Sequence, residues 1–568
     1  MNDRLEPYRH RSSIAYFTME ISLRPEMHTY SGGLGVLAGD TARSAADLGL
    51  PEVFIGLALR EGYLKQEIDA AGHQVGEEDP WNPEAWCTPL PSIASVELEG
   101  RRVWIRAWLY ECSGALGNPV PIILLDTDFV LNNEEDRKIS GRLYGGDKAY
   151  RVKQEAVLGI GGVRMLAALG LDIETYHLNE GHAAFLTMEL LRHFPRVSNL
   201  VDDGGPRYDA SPVLRRCLFT THTPVEAGHD RFDYSLVEQI LGNELELDEL
   251  KIYAGAEDCN MTRLALNLSG FVNGVATRHA ETTEQMFPGY KVHAITNGIH
   301  AARWAYPSFA QLFENAIPNW REEPELLFHV DHLPDDEVEA AKQVARADLV
   351  EYAAEMTGLE LDPGKPIIAY ARRMTAYKRP SLFLHDLDRL RAIAREYPLQ
   401  IVFAGKAHPA DAEGGEVIKL IRSRAENLAD VMKLAFLPNY NTDSAQRMVA
   451  GADVWLNTPR PPLEASGTSG MKAALNGTLN LSTIDGWWVE GWIEDVTGWA
   501  VGTDGNGEET DEDHAASLYD KLEHKVLPLY YNDRAKWVWM MKQSMSKIGA
   551  YFNSHRMMRR YANEAYLR

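Results

Sequence analysis

The sequence predicts an α/β protein built as two doubly wound, Rossmann-like domains that face one another across a cleft. Three observations lead there. At 568 residues the chain exceeds what one core organises, because single cores stop growing at roughly 250–300 residues. Short β-branched runs alternate with longer helix-like stretches throughout, and alternating βα units imply a mostly parallel sheet with helices on both faces. A division near Asn297–Pro307 leaves a full set of such units on each side. The expected domains are residues 1–300 and 301–534, with a C-terminal helical segment, 535–568, able to pack back on the first.

In the first half the strand candidates are IAYFTM, VFIGLAL, RVWIRAWL, PIILLDTD, TYHLN, CLFTT and HAITN; in the second they are KPIIAYA, LQIVFAG, MKLAFLP, DVWLN and TLNLST. Between Pro334 and Gly358, Val338, Ala341, Ala345, Leu349, Tyr352 and Met356 recur every three or four residues. Asp335 and Asp336 stand at the start of that run and Gly358 after its end, which predicts an amphipathic helix. The acidic stretch from Asp504 to Asp513 reads as a solvated surface loop. The Met-, Tyr- and Arg-rich stretch from about Lys536 reads as a terminal helix packed on the surface. No internal repeat or low-complexity tract interrupts the pattern.

Composition excludes several classes. Hydrophobic residues make up 45% and charged residues 24%, ordinary for a globular protein, and no run approaches the roughly 18 apolar residues of a membrane span. The opening MNDRLEPYRHRSS lacks the apolar core of a secretory signal, so a cytoplasmic location is expected. Cys87, Cys112, Cys217 and Cys259 show no paired spacing, so neither a metal site nor a disulfide framework is expected. A net charge of −25 repels nucleic acid and anionic membrane alike. It would repel an anionic substrate too, so such a substrate needs locally gathered cations.

Ligands of open α/β sheets bind beyond the carboxyl ends of strands. The residues found there are Glu20, Asp126, Asn179, Glu180, Thr221, His222 and Asn297, then Arg372, Arg373, Gly405, Lys406, Asn439, Tyr440 and Asp485, with the cations in the second half. The most specific stretch is EASGTSGMKAALNG, 464–477, where small residues run into a helix-forming segment carrying Lys472. Backbone N–H groups at such a start can cradle an anion. A lysine beside them can bond to an aldehyde whose own phosphate fills the cradle, or the stretch is a capped helix with a solvent lysine. In ARRMTAYKRP, Arg373 and Lys378 lie five apart past a strand; they can converge on a phosphate dianion, or form a solvated basic turn. YSGGLGVLAGD contains a G-x-G-x-x-A match at Gly33, Gly35 and Ala38, but no apolar strand immediately precedes it. Its glycines more simply let backbone N–H groups approach an anionic ligand.

Together these segments resemble the glycogen and α-glucan phosphorylases. EASGTSGMKAALNG is similar to the family's cofactor-lysine motif and RRMTAYKRP to its phosphate-binding segment, the middle of which differs here. YSGGLGVLAGDTARSAADLGLP, HLNEGHAAFLTMEL, TTHTPVEAGHDRF and ITNGIHAARW resemble further family segments in family order, so the resemblance runs from about Tyr16 to about Trp499. It implies the two-domain GT-B glycosyltransferase architecture, with Lys472 bearing pyridoxal phosphate. Gly467, Thr468, Ser469 and Arg372 would hold the cofactor phosphate, with Tyr440 lining the site. Arg373 and Lys378, with backbone amides of Gly32, Gly33 and Leu34, would hold the substrate phosphate. His222 and Asn297 would contact the transferred glucose, His222 partly through its carbonyl. Glu464 and Ser466 would bond sugar hydroxyls, and Tyr377 would line the site. The chain looks like the compact bacterial and archaeal branch. It is shorter than the large animal and plant enzymes and lacks their N-terminal extension, so their allosteric regulation is not expected.

The implied activity is reversible, configuration-retaining phosphorolysis of an α-1,4-glucan (glycogen, starch or maltodextrin) by inorganic phosphate, yielding α-glucose 1-phosphate. A homodimer, as is common in the family, is a further expectation. A retaining glycosidase would need two positioned carboxylates, and the sequence offers no such pair; a phosphate group can supply the proton transfer instead. Two other readings are a nucleotide-sugar glucosyltransferase resembling glycogen synthase, which gives Lys472 no cofactor, and a catalytically silent glucan-binding protein.

Overall fold

The computed structural model describes residues 4–196, 206–225, 228–409, 411–503 and 509–567. The chain is a mixed α/β protein with two large, mostly parallel sheets. The first contains β1 (Ile14–Thr18), β2 (Glu52–Leu57), β3 (Thr88–Leu98), β4 (Arg101–Ser113), β5 (Pro119–Asp126), β6 (Thr175–Asn179), β7 (Cys217–Thr220), β8 (Phe271–Gly274) and β9 (His293–Ala294). Their order is β9-β8-β7-β6-β1-β2-β5-β4-β3, and only the β5-β4 and β4-β3 pairs are antiparallel. The second contains β10 (Ile367–Ala371), β11 (Gln400–Ala404), β12 (Lys433–Leu437), β13 (Val454–Asn457), β14 (Leu479–Thr483) and β15 (Gly498–Val501), ordered β12-β11-β10-β13-β14-β15 and parallel throughout.

These strands read as continuous apolar runs because helices cover both faces, and every residue of β1, β2, β10 and β14 is buried. Each sheet winds outward in both directions from its first strand. The order therefore reverses between β1 and β6 in the first sheet and between β10 and β13 in the second. A crevice opens beyond the carboxyl ends of strands at such points, because the flanking helices lie on opposite faces.

Several expected elements change. Thr88–Leu98 is a strand that the run of small residues and prolines conceals; Pro89 and Pro91 are tolerated because β3 is an edge, and its register shifts between Pro89 and Ile93. HAITN contributes only the two residues of β9. Short β8 and glycine-led β15 went unanticipated, as did a hairpin of Lys65–Ile68 and Gln74–Glu77 standing apart from both sheets.

The helices that matter to the site are α1 (Gly33–Asp47), α2 (Asp335–Thr357), α3 (Thr442–Gly451), α4 (Ser469–Leu475), α5 (Asp511–Lys521), α6 (Arg534–Ser544) and α7 (Ser554–Tyr561). Helix α2 is the amphipathic helix expected between Pro334 and Gly358, with Val338, Ala341, Ala345 and Leu349 buried and Gly358 closing it in the left-handed conformation. The acidic stretch from Asp504 is not simply loop: 504–508 fall outside the described residues, and from Asp511 it is helix α5, started by a Thr510–Asp513 capping box. The segment from Lys536 is not a surface helix either. Trp537, Met540 and Met541 of α6 are fully buried in the core of the second sheet. Met557, Met558 and Tyr561 of α7 pack with Tyr16, Phe54 and Phe271 of the first sheet.

Candidate active site

Polar residues crowd the reversal points of both sheets. Past β1, the buried Glu20 carboxylate accepts the backbone N–H groups of Ser31 (2.6 Å) and Gly32 (3.1 Å) and the Tyr144 hydroxyl (2.9 Å). It thereby bends the glycine segment into the start of α1. Two later glycines are there for packing: a Cβ on Gly35 would lie 2.6 Å from Tyr30 Cβ, and one on Gly39 only 2.0 Å from the Ser22 carbonyl oxygen. A Cβ on Gly33 would meet nothing within 4 Å, so that turn faces open space.

Past β6, Glu180 adopts φ +71°, a strained conformation for a non-glycine residue. Its carboxylate accepts the His222 N–H (2.8 Å) and the Thr223 hydroxyl (2.9 Å). The His222 ring donates from Nε2 to Asn179 Oδ1 (2.7 Å), the tautomer assigned from the acceptor it faces. Burial, with His279 and His182 nearby, pushes its pKa down to about 3, so the ring is neutral. Asn297 is held through its own N–H by the Val275 carbonyl (3.0 Å), and its buried Oδ1 has no hydrogen-bond partner.

Past β10 and β13 lie the cations. Arg372 and Lys378 both donate to Glu464 Oε2, the lysine at 2.7 Å. Burial alone would raise the Glu464 pKa, but these two cations hold it down to about 2. Burial beside Glu464 pushes its neighbour Asp485, which accepts the Glu464 N–H at 2.8 Å, up to about 7. Arg372 and Lys378 thus converge on Glu464 Oε2. Arg373 reaches toward the first sheet instead: its Nη2 is 3.5 Å from where a Cβ on Gly32 would stand. Tyr377 lies under Lys378, with Nζ 4.6 Å from its ring centre.

Lys472 lies in α4, which Thr468 begins without a side-chain cap. It is buried, with Nζ 4.0 Å from the centre of the Trp304 ring, and burial pushes its pKa down to about 8 against a smaller opposing effect of Asp40. Asp40 of α1 fixes that platform by accepting from Trp304 Nε1 (2.7 Å) and Arg303 Nη1 (3.0 Å). Gly467 takes φ +76°, where a Cβ would meet only Trp487 at 3.5 Å and Glu464 at 3.7 Å. Ser469 Oγ accepts from Trp455 Nε1 (3.1 Å), Ser466 Oγ donates to the Gly467 carbonyl (3.2 Å), and Tyr440 is packed among apolar residues of the second sheet. Leu34 lies in the first turn of α1.

The structure therefore brings Arg373 to the Gly32–Leu34 turn, and Arg372 and Lys378 to Glu464, which leads into the 466–472 segment. Trp304, Asp40 and Tyr144 were not singled out in the sequence. Their signal, a tryptophan seven residues past Asn297 and an aspartate two turns into a glycine-rich helix, acquires meaning only through contacts. A cavity of about 880 Å³ opens beside Tyr144, lined also by Lys148, Arg151 and Asp230, rather than over Lys472.

Residues 210–498 match the family described as carbohydrate phosphorylase. The maltodextrin phosphorylase of Thermococcus litoralis is 40% identical, over 97% of this chain and 70% of its own. The chain belongs to the carbohydrate phosphorylase family. The glycogen phosphorylase of Mycobacterium tuberculosis is 36% identical over 98% of this chain and 71% of its own, and that of Aquifex aeolicus 33% identical over 98% and 86%. Within this phosphorylase the family match spans β7 to the start of β15, and so includes His222, Asn297, the cation segment and Lys472. The glycine turn lies outside it but inside the reach of the full-length relatives.

Proposed function

We propose that this chain is an α-1,4-glucan phosphorylase that converts a glucan and inorganic phosphate to α-glucose 1-phosphate, reversibly and with retention of configuration. One juxtaposition carries the reading: an open glycine turn from the first sheet meets Arg373 from the second, in a fold that also buries Lys472 and lowers its pKa. The similarity to maltodextrin and glycogen phosphorylases supports it. The proposed units are residues 1–300, 301–534 and 535–568, the first two facing across a cleft at the two reversal points. The sheet orders support this arrangement.

The residues fit pyridoxal phosphate. Lys472 offers a buried amine that loses its proton readily, the buried Arg372 Nη1 has no hydrogen-bond partner, and Gly467 leaves its side of the turn free. Lys472 would bear the aldehyde carbon, and Arg372 with the N–H groups of Gly467, Thr468 and Ser469 would hold the phosphate. Bound there, the cofactor would supply a phosphate able to exchange a proton beside the substrate phosphate.

The chain's own residues then act on the substrates. Arg373, Lys378 and the Gly32, Gly33 and Leu34 amides hold inorganic phosphate as an anion despite the overall charge of −25. Asn297 Oδ1 accepts from a glucose hydroxyl, as does the His222 carbonyl. The His222 ring, neutral and donating to Asn179, orients that carbonyl and is not the acid. The substrate phosphate gives its proton to the glycosidic oxygen as the C1–O bond breaks, and a phosphate oxygen bonds to C1 on the same face. Arg373 and Lys378 stabilise the phosphate's charge through this step, an effect of the order of 10²–10³ in rate for one well-placed donor.

The test is glucose 1-phosphate release from maltodextrin by cofactor-loaded protein, with and without inorganic phosphate. Phosphate-dependent release is expected. Free glucose without phosphate, or glucosyl transfer only from a nucleotide sugar, would overturn the reading.

A further inference from the structure

The hairpin Lys65–Ile68/Gln74–Glu77 belongs to neither sheet, yet it makes a dense set of polar contacts with the carboxyl-end loops of the second. At its centre is Gln66, 2% exposed. Its Oε1 accepts the Asn439 N–H (2.9 Å), and its Nε2 donates to the Gly405 carbonyl (2.8 Å) and to Gln74 Oε1 (2.7 Å). Its backbone N–H donates back to Asn439 Oδ1 (3.2 Å). Gln74 repeats the pattern two rungs away, accepting the Ala407 N–H and donating to the Ala407 carbonyl, both at 2.9 Å. Lys406 Nζ closes the set on the Leu64 carbonyl (2.7 Å).

One amide hydrogen of Gln66, its side-chain oxygen and its backbone N–H are satisfied by residues some 340–370 positions away in sequence, and the second amide hydrogen is held by Gln74 within the hairpin. A fully satisfied buried amide fixes one relative placement, because any shift leaves buried groups unmade. Asn439 is held at φ +53°, a conformation asparagine tolerates and most residues do not.

The loop this amide grips leads directly to the cations. The Lys406 carbonyl accepts the Met374 N–H (3.0 Å), and the Ala404 carbonyl accepts the Arg372 N–H (3.2 Å). Gly405 is pressed so closely on this segment that a Cβ there would lie 1.9 Å from the Arg372 carbonyl oxygen. The hairpin belongs to the same half of the chain as the Gly32 turn, while Arg373 belongs to the other. The distance between turn and guanidinium therefore depends on what registers one half on the other.

We infer that Gln66 is a positioning residue for the phosphate site: it aligns the Arg372–Met374 segment of the second half against the glycine turn of the first. It touches no substrate itself. The inference rests on the phosphorylase reading, and it places the control of phosphate affinity, as distinct from glucan affinity, in the hairpin. Asn297 and His222, the proposed glucose contacts, lie past β6–β9 and are not gripped by these loops.

The test compares wild-type, Gln66→Met and Gln74→Met proteins, each loaded with pyridoxal phosphate, in phosphorolysis of maltodextrin. The methionine keeps the side chain's length and removes the amide without burying a charge. KM for phosphate is expected to rise about tenfold in Gln66→Met, the equivalent of about 1.4 kcal/mol, with KM for maltodextrin within twofold of wild type. Gln74→Met should shift phosphate KM in the same direction by less. In a double-mutant cycle, Gln66→Met and Asn439→Ala should be non-additive in phosphate KM. Equal changes in both KM values, or an unchanged phosphate KM with a lowered melting temperature, would make Gln66 merely structural and overturn the inference. If Gln66→Met does not fold, the milder Gln74→Met decides by the same split. Wild-type protein without phosphate-dependent release would instead overturn the phosphorylase reading itself.

Discussion

Lys472 is an amine that the fold makes reactive. An exposed lysine is almost wholly protonated at neutral pH, whereas burial over Trp304 brings Lys472 down to about 8. Loading of apoprotein with pyridoxal phosphate should therefore accelerate with rising pH, with its inflection near pH 8 rather than above 10. Stopped-flow absorbance at several pH values checks this; an inflection above pH 10 would mean an exposed amine. Lys472→Ala should lose borohydride-trapped cofactor, and trapping on another lysine would refute the assignment. How much of the site was legible varied residue by residue. Lys472, Arg372 and Arg373 stand in short motifs next to strands, so their place beyond the strand ends could be read from type and spacing. The pairing of Lys378 with Arg372 through Glu464 could not, because two residues some 86 apart in sequence meet only once β10 and β13 are neighbours. Nor could the neutrality of His222, which depends on burial and on Asn179.

Elements differ in the same way. The long helix α2 and the covered parallel strands announce themselves by period and by apolar runs, since a continuous burial pattern leaves a continuous residue pattern. Edge strand β3 and the isolated hairpin do not, because each pairs only with its neighbour in sequence and carries polar residues or proline on its open side. Helix α1 shows both kinds of constraint within one turn-and-a-half of glycines. Gly39→Ala would push a methyl group to within 2.0 Å of the Ser22 carbonyl oxygen, and overpacking of this kind costs about 1–3 kcal/mol. Gly33→Ala meets no neighbour within 4 Å. Denaturant unfolding should show Gly39→Ala clearly destabilised and Gly33→Ala close to wild type, while only Gly33→Ala should raise phosphate KM without loss of stability. A Gly33→Ala protein as unstable as Gly39→Ala would show that the turn is packed, not open to a ligand.

Across the whole molecule, the two ends of the chain are joined through buried polar groups, which makes stability a function of pH. Asp47 of α1 accepts from His300 Nε2 (2.8 Å) and lies 3.2 Å from His555 Nε2 of α7. These three could suggest a metal site, but His300 Nδ1 accepts the Arg303 N–H (3.2 Å), so its Nε2 carries the proton and is a donor to Asp47 rather than a metal ligand. Burial lowers the pKa of His177, His182, His222, His279, His300, His408 and His514, reaching about 3 for His182 and His222 and about 4 for His279. On unfolding, each returns to its ordinary 6.5 and takes up a proton, so below that pH each favours the unfolded chain by up to about 1.4 kcal/mol per pH unit. Three buried acids oppose them: burial raises Glu52 to about 8, Asp485 to about 7 and Glu155 well above its ordinary value, so each is protonated in the fold before it is in the unfolded chain. Seven histidines outweigh three acids, and below about pH 4.5 the opposition ends because the unfolded acids protonate as well. There Glu464 and Asp47, both held below the usual carboxylate range by their partners against the effect of burial, add to the loss. Stability should therefore fall as pH drops from 6.5, and fall more steeply below 4.5. Urea midpoints at pH 6.5, 5.5 and 4.5 check the sign; midpoints that rise toward pH 4.5 would mean that the acids, not the histidines, govern the fold's proton balance.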